Sequence, residues 1–354
     1  MILYRHAREA ARRYFVHPGV NDIFWGVSYT DRIPTDKLAI RFNVKEKKAR
    51  AKLKASEKIP DRINGIKTDV TEFRFSRQVR NELPYERVRP LLGGVQVQAS
   101  SGEGPLDWGT LGSELVFNNV RYGISNDHVL NYDTSGNRTK VNPTKETQVK
   151  GKGATDNQAT GTPITGNQAK GNQATADEAR SNDREGVTGE LALWPLGIPE
   201  ILQPKRASFG EVIGYLSSIG DHRLDYRLVE LLQTADSSQS VNRVEGIIDG
   251  FMMPAGMNEL LLLKSGAATG VTQGIFDGRS LPEPWRVTIR GAGNGPVSAA
   301  GDSGSLWLRK EEVPGRLRMF ALHTGGDEEG RIAMATLYST IHLSIRRQLA
   351  SGKR

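Results

Sequence analysis

Residues 298–305 read Ser-Ala-Ala-Gly-Asp-Ser-Gly-Ser, and the apolar residues 306–308, Leu-Trp-Leu, follow directly. Glycines and small residues of this kind predict a tight turn that presents one serine, Ser303, between two glycines. The apolar run predicts a buried strand immediately after the turn. A serine presented in this way is a candidate nucleophile if a base and an acid lie elsewhere in the chain.

Two upstream residues supply the base and the acid. His128 follows a strand-like run and a short polar turn, and Asp225 begins another strand-like run. The order His128, Asp225, Ser303 excludes the subtilisin-like and α/β-hydrolase arrangements, which run Asp-His-Ser and Ser-Asp-His. Ser305 also stands where the hydrolase elbow requires its second glycine. The three residues are therefore interpreted as a Ser-His-Asp triad.

Ordinary alternatives exist for each of these residues, namely a buried turn histidine, a hairpin aspartate and a loop serine. Asp221 and Asp249 are weaker candidates for the acid, because neither precedes so strand-like a run. The triad interpretation is favoured because all three residues coincide in matching contexts and in a matching order.

The motifs around these three residues resemble those of the chymotrypsin-like serine proteases, whose serine loop contains Gly-Asp-Ser-Gly. The resemblance implies a trypsin-like serine endopeptidase that acts on protein or peptide substrates through an acyl-enzyme. It implies that the backbone N–H groups of Gly301 and Ser303 form the oxyanion hole. It implies no cofactor and no metal.

Further segments resemble one subgroup of that family, a bacterial and plant group that includes a narrow-leaf-type plant regulator and carries an N-terminal α/β leader. The resembling segments are residues 63–70, 89–94, 109–112 and 260–274. The predicted fold is therefore mainly β. It is a chymotrypsin-like double β-barrel with a closing C-terminal helix, preceded by a small α+β module.

Three regions are predicted along the chain: a basic leader at 1–88, a first barrel at 89–240, and a second barrel with the closing helix at 241–354. Residues 133–190 contain near-repeats of Asn-Gln-Ala and almost no large apolar residue. Such a segment cannot bury enough surface to fold alone, so it is predicted to be a disordered insertion in the first barrel.

The leader shows an α-β-β-α-β pattern. Apolar residues at helical spacing predict a helix over 3–15, and two strands follow at 24–29 and 38–44. A charged helix is predicted over 49–58 and extended chain over 63–75.

Charge is concentrated in the leader. The whole chain carries 48 Lys+Arg against 40 Asp+Glu, and residues 1–90 hold 21 against 11, a local charge of +10. A nucleic-acid-binding protein led by this segment is one alternative function. A solvated lysine-rich face is favoured instead, because no aromatic residues interleave the charges.

The compartment is predicted from three absences. The chain has no cysteine, its arginine-rich N-terminus lacks the apolar core of a secretory signal, and no run is apolar enough to span a bilayer. We therefore expect a cytoplasmic protein without membrane contact.

Substrate preference is predicted from residues near the serine. Val297 lies six residues before Ser303, where trypsin-like enzymes need a carboxylate to select Lys or Arg. His323 and Ser298 resemble the polar pocket residues of glutamyl endopeptidases and picornavirus-type proteases. They predict a P1 preference for Glu, Gln or another polar side chain, and a histidine bonded to backbone is the alternative. The residues expected to pair with the substrate backbone as an added strand are Thr324, Gly325 and Gly326.

Asp302 raises the question of activation. In trypsin the matching aspartate binds a newly released N-terminus, and here a long leader precedes the barrel. Either an internal cation satisfies Asp302, or the enzyme rests inactive until self-processing or an activating partner intervenes. Oligomerisation is left open. A catalytically silent protease fold that serves as a binding scaffold is the alternative to an enzyme.

Overall fold

The computed structural model is dominated by β-strands. It describes residues 2–76, 88–99, 108–130, 200–203, 211–253 and 260–353. These residues fall within one compact unit formed by residues 1–136 and 197–354. The predicted insertion at 133–190 lies outside the described residues. None of the described helices is long and apolar enough to cross a membrane.

The leader packs one helix, α1 (Ile2–Ala11), against a small sheet. Ala7, Ala10 and Ala11 are buried on one face of α1, and a 3₁₀ turn at Arg12–Tyr14 follows. In the sheet, the first two strands are antiparallel and the fourth runs parallel to the second. The leader strands are β1 (Val20–Thr30), β2 (Ile33–Val44), β3 (Arg62–Ile63), β4 (Ile66–Thr71) and β5 (Phe75–Ser76).

The prediction of a charged helix over 49–58 is wrong. The segment contains two 3₁₀ turns, Arg50–Lys52 and Ala55–Glu57, and none of its residues is buried. An isolated helix this short is not stable in water without an apolar face to bury, and this segment has none. Lysines spaced four apart along it would also repel one another in a helix.

The first barrel is present as an open sheet. Its seven described strands pair in the order β8-β7-β11-β12-β13-β10-β9, which makes a half-barrel. Asn118 and Asn119 both have positive φ, as a two-residue hairpin between β9 and β10 requires. The elements of this region are β6 (Leu91–Gly93), β7 (Gln96–Ala99), β8 (Trp108–Thr110), β9 (Glu114–Phe117), β10 (Val120–Ser125), α2 (Asp127–Leu130), β11 (Glu200–Gln203), β12 (Glu211–Asp221), β13 (Tyr226–Leu231) and β14 (Ser237–Val241).

The second barrel is a closed ring of six strands, paired in the order β16-β17-β18-β21-β20-β19 and back to β16. Trp307 and Phe320 are fully buried in its core. The closing helix α3 buries Ile341 and Ile345 in a second core that also contains first-barrel residues. The elements are β15 (Val244–Phe251), β16 (Leu261–Gly266), β17 (Gly270–Ser280), β18 (Arg286–Gly291), β19 (Leu306–Lys310), β20 (Arg316–Asp327), β21 (Ile332–Leu337) and α3 (Tyr338–Ala350). The predicted fold class, a mainly β double barrel with a closing helix, is confirmed.

The leader sheet continues directly into the second barrel. Strand β1 pairs antiparallel with β17, with Phe24 opposite Ser280 and Gly26 opposite Gly278. The strands approach closely at Gly26, where a Cβ would lie 2.4 Å from the Asp277 carbonyl oxygen. The predicted boundaries of the three regions remain predictions.

A buried ion pair joins the two parts at this seam. Arg41 of β2 donates to the Asp277 carboxylate of β17 at 2.6 Å, and both side chains are almost fully buried. Thr288 and the Tyr29 hydroxyl also donate to Asp277, at 2.9 and 2.6 Å. Burial and the Asp277 charge raise the pKa of Tyr29, so its hydroxyl stays a donor.

Replacing Arg41 tests how strongly this seam holds the fold. Arg41→Met leaves the Asp277 charge buried without its cation, and we expect a loss of about 3–5 kcal/mol in the free energy of unfolding. Chemical denaturation measures it. The matched control is Arg50→Met, which removes an exposed pair with Asp61 and should cost less than about 1 kcal/mol. Equal effects of the two variants would contradict a structural role for the buried pair.

Candidate active site

His128 and Asp225 are hydrogen-bonded to each other. His128 lies in α2, directly after β10, and Asp225 in the turn between β12 and β13. The His128 Nδ1 atom is 2.8 Å from Asp225 Oδ2, and the His128 backbone N–H donates to Oδ1 at 3.2 Å. Asn126 Nδ2 donates to the Asp225 carbonyl at 2.7 Å and fixes the turn. With Nδ1 donating to the carboxylate, Nε2 is left as the basic nitrogen, which is the tautomer a general base needs.

Ser303 lies in a turn that only glycine can build at two positions. Gly301 and Gly304 have φ values of +99° and +95°. A Cβ at Gly301 would lie 2.2 Å from the Trp108 ring, and one at Gly304 would lie 2.2 Å from Ser125 Oγ. The glycines on either side of Ser303 are therefore required both by conformation and by space.

Thr110 connects the serine turn to the histidine motif. Its N–H donates to the Ser303 carbonyl at 2.7 Å, and its hydroxyl donates to the Gly301 carbonyl at 2.7 Å. Its own carbonyl accepts from Ser125 Oγ at 2.7 Å, three residues before His128. Thr110 was not singled out from the sequence as a site residue, although it lies in the segment 109–112 that carries the subgroup resemblance.

The structure brings the Ser303 backbone close to Val129, the neighbour of His128, without a hydrogen bond between the Ser303 and His128 side chains. A Cβ at Gly109 would contact both the Ser303 carbonyl oxygen, at 2.7 Å, and Val129, the neighbour of His128, at 2.6 Å. Among the described residues, Ser303 Oγ makes no hydrogen bond. Nucleophile and base contacts are often long in unliganded enzymes and shorten when substrate binds.

Three backbone N–H groups of the serine turn, those of Ala300, Gly301 and Ser303, have no acceptor among the described residues. Gly301 and Ser303 are the positions that the sequence predicted as an oxyanion hole. Other N–H groups of this loop are used internally, since Asp302 donates to Ala299 and Gly304 donates to His323. Donors of this kind can receive a negatively charged oxygen.

Asp302 is satisfied by an internal cation, Lys264 of β16. The Lys264 Nζ atom is 2.7 Å from Asp302 Oδ2, and both side chains are fully buried. The Thr269 hydroxyl donates to the same oxygen at 2.7 Å. The remaining donors to this carboxylate are the backbone N–H groups of Ala268, Thr269 and Ala299, at 3.0–3.1 Å. Of the two alternatives for Asp302 that the sequence left open, the structure contains the internal cation.

Electrostatics keep this pair charged. Burial alone would raise the pKa of Asp302, but the Lys264 charge and the hydrogen bonds outweigh it, so the pKa is lowered. Burial lowers the pKa of Lys264, and the Asp302 charge opposes that shift. Gly266 is necessary for the approach, because a Cβ there would lie 2.1 Å from Asp302 Oδ1. Sequence reasoning missed Lys264, whose signal was a single charge in the otherwise apolar run 260–264.

A Lys264→Met variant tests the internal pair. The change leaves Asp302 as an unpaired buried charge, and we expect the free energy of unfolding to fall by about 3–5 kcal/mol. Adding Asp302→Asn removes that charge, so the double variant should recover part of the loss. Denaturant unfolding of the wild type, Lys264→Met, Asp302→Asn and the double variant measures the coupling. If Asp302→Asn lowers the free energy of unfolding as much in Lys264→Met as it does in the wild type, the two residues are not coupled.

His323 and Ser298 form a buried chain with Trp307. Trp307 Nε1 can only donate, and it donates to His323 Nδ1 at 3.4 Å. The His323 proton is therefore on Nε2, which lies 3.0 Å from Ser298 Oγ. Burial lowers the pKa of His323 to about 3, so the ring is neutral. Both His323 and Ser298 are buried.

The predicted substrate-pairing residues and the two weaker acid candidates have the following positions and partners. Gly326 lies against Ser298, since a Cβ there would be 2.7 Å from Ser298 Oγ. It was predicted to pair with the substrate backbone, but in the structure it is paired with Ser76 of β5. The weaker acid candidates have other partners. Asp221 accepts from the N–H groups of its own turn, and Asp249 pairs with Arg316 on the surface. Val297, which stands where trypsin-like enzymes need a carboxylate, lies in the loop before Ser303. Thr324 and Gly325 lie on β20.

No family model matches this sequence, and no curated protein is recognisably related to it. Among solved structures, a glutamic acid specific serine protease is 13% identical, with a TM-score of 0.39, covering 74% of this chain and 98% of that one. Protease A of Thermobifida fusca is 12% identical, with a TM-score of 0.38, covering 75% and 97%. A Nocardiopsis protease is 10% identical, with a TM-score of 0.37, covering 72% and 96%. The fold assignment rests on the strand pairing described above and not on these scores.

The buried histidine gives a pH-dependent stability. His323 has a lowered pKa in the folded protein, so between pH 6.5 and about 3 the unfolded chain takes up a proton that the folded chain does not. Stability should therefore fall by about 1.4 kcal/mol for each pH unit below 6.5. In His323→Gln this contribution disappears, and in the exposed control His6→Gln it stays. Unfolding free energies measured between pH 7 and 5 decide it, and parallel curves for wild type and His323→Gln would contradict the assignment.

Proposed function

We propose that this protein is a serine endopeptidase with His128, Asp225 and Ser303 as its triad. The observation that carries the proposal is the His128–Asp225 hydrogen bond beside a rigid glycine turn that presents Ser303. A serine hydroxyl alone is a poor nucleophile at neutral pH, and a neighbouring imidazole with a free basic nitrogen supplies the missing activation. The protease fold is consistent with this assignment.

In the proposed reaction, Ser303 Oγ attacks the scissile carbonyl as His128 Nε2 takes its proton. Asp225 holds the ring and stabilises the imidazolium that forms. The carbonyl oxygen becomes negative and is received by the N–H groups of Gly301 and Ser303. His128 then protonates the leaving amine, and water enters by the same route to release the acyl group from Ser303. The Lys264–Asp302 pair keeps the turn formed throughout, so no activating cleavage is needed.

We further propose a P1 preference for Gln, Glu or another side chain with an acceptor oxygen. His323 Nε2 donates to Ser298 Oγ and fixes the position of that hydroxyl, and a serine hydroxyl can both donate and accept, so Ser298 is the polar group that we assign to the P1 side chain. Val297, in place of a carboxylate, gives nothing to attract Lys or Arg. The subgroup that the sequence resembles carries an N-terminal leader, and this chain has an α+β leader. We therefore propose that the chain belongs to that subgroup.

Labelling with a fluorophosphonate probe tests the nucleophile. The wild type should be labelled, and Ser303→Ala should not. His128→Ala should lose labelling, and Asp225→Asn should lower the turnover of a peptide substrate by about 10⁴-fold. The matched control is Ser305→Ala, two residues away, whose buried hydroxyl has no hydrogen-bond partner among the described residues. Wild-type protein that is folded but never labelled would favour the catalytically silent scaffold instead.

A peptide library tests the P1 preference. We expect cleavage after Gln or Glu, and Ser298→Ala should lower kcat/KM for those peptides by about tenfold, the equivalent of one hydrogen bond. Preferred cleavage after Lys, Arg or large apolar residues would contradict the proposed pocket.

A further inference from the structure

The two edges of β20 have different partners. One edge pairs with β21 as far as Gly326, which faces Ala333. On the other edge, the serine turn comes first, since Gly304 N–H donates to the His323 carbonyl and the His323 N–H donates to the Ser305 carbonyl, at 3.0 and 2.8 Å. The leader strand β5 comes next, with Ser76 opposite Gly326. This second edge is called the nucleophile edge below.

The leader chain runs along the nucleophile edge toward Ser303. The pairing is antiparallel, with Phe75 opposite Asp327 and Ser76 opposite Gly326. From Phe75 to Ser76, β5 therefore runs along β20 in the direction of the serine turn. Only Thr324 and Gly325 lie between His323, which is bonded to the serine turn, and Gly326, which is paired with β5. Among the described residues, none pairs with these two on this edge.

A peptide substrate needs the same edge. If its scissile carbonyl is at Ser303, the residues before that carbonyl extend along β20 from Thr324 toward Gly326 as an added strand. Each substrate residue faces one residue of β20. The two residues nearest the scissile bond therefore face Thr324 and Gly325, and a third would meet Gly326, which β5 already occupies.

We propose that β5 is a built-in specificity element that limits strand pairing to two substrate residues before the scissile bond. The inference rests on the proposed function, because it concerns the substrate edge of that site. It assigns to the leader a role in substrate selection: peptides with two residues before the cut are bound as well as longer ones.

The anchoring of β5 shows that it is a fixed part of the fold. Phe75 packs edge-on against buried Phe24, with ring centroids 6.4 Å apart, and also contacts Phe73 at 6.2 Å. Asn43 holds the backbone of Phe73 at both ends, accepting from its N–H at 2.8 Å and donating to its carbonyl at 2.9 Å. The Arg41 guanidinium stacks over the Phe24 and Phe73 rings. A substrate strand would have to break these contacts to displace β5.

A peptide-length series tests the proposal. Peptides with the P1 residue chosen by the library profile carry one to four residues before the scissile bond. For the wild type, kcat/KM should rise up to two residues and then stay level. In Ser76→Pro the N–H is lost and the proline ring prevents pairing, so the third and fourth residues should raise kcat/KM at least fivefold. Phe75→Ala, which weakens the anchor, should give an intermediate gain.

The control is Lys67→Pro, a proline in β4, which pairs only within the leader sheet. It should keep the level response of the wild type. Thermal unfolding checks that each variant is folded. The proposal is overturned if wild type gains from the third and fourth residues as much as Ser76→Pro does, or if folded Ser76→Pro gains nothing.

Binding to Ser303→Ala separates this inference from the proposed function. The same peptides are titrated against Ser303→Ala and Ser303→Ala/Ser76→Pro, so that strand addition is measured without turnover. Tighter binding of long peptides only in the double variant supports the inference even if no protein cleaves anything, in which case the proposed function alone has failed. Equal affinities in the two proteins for every length, or no binding to either, overturn the inference.

Discussion

The fully buried Lys264–Asp302 pair is the interaction on which the serine turn depends. A lysine and a carboxylate cannot both lie in an apolar interior unless they meet, so β16 and the serine turn must come together in one register. Once they meet, Asp302 accepts five hydrogen bonds and the residue that follows it, Ser303, has little freedom left. The fold therefore sets the position of Ser303, the proposed nucleophile, through the residue beside it.

The rest of the site is organised around that fixed turn. Thr110 ties the turn to the first barrel, and the close approach is possible because Gly109 and Gly112 have no side chains where the turn passes. The first barrel in turn supplies the His128–Asp225 pair. The proposed base, His128, and the proposed nucleophile, Ser303, thus come from different parts of the fold. Backbone contacts, rather than a contact between the two side chains, hold these parts together.

Much of this could be predicted from the sequence, because several motifs have strict local requirements. The glycines around Ser303 are needed for positive φ, and the resemblance of several segments to one family implied the two barrels and α3. The helix expected over 49–58 failed because charge pattern alone does not form a helix without a face to bury. The pairing of β5 with β20 joins residues about 250 positions apart, and no local pattern encodes such a partner. The sequence also could not show which ring nitrogen of His323 carries the proton, because that depends on the hydrogen bond from Trp307.

The pairing of β1 with β17 has a consequence for how the chain folds during synthesis. Residues 24–26 are synthesised before their partners at 278–280, and the whole segment between them must be made first. Until then β1 has an open edge, which is a template for pairing with other chains. Contacts this distant in sequence also make folding slow. The leader of each nascent chain therefore keeps an unpaired strand edge until β17 has been made, and misassembly is most favoured at that stage.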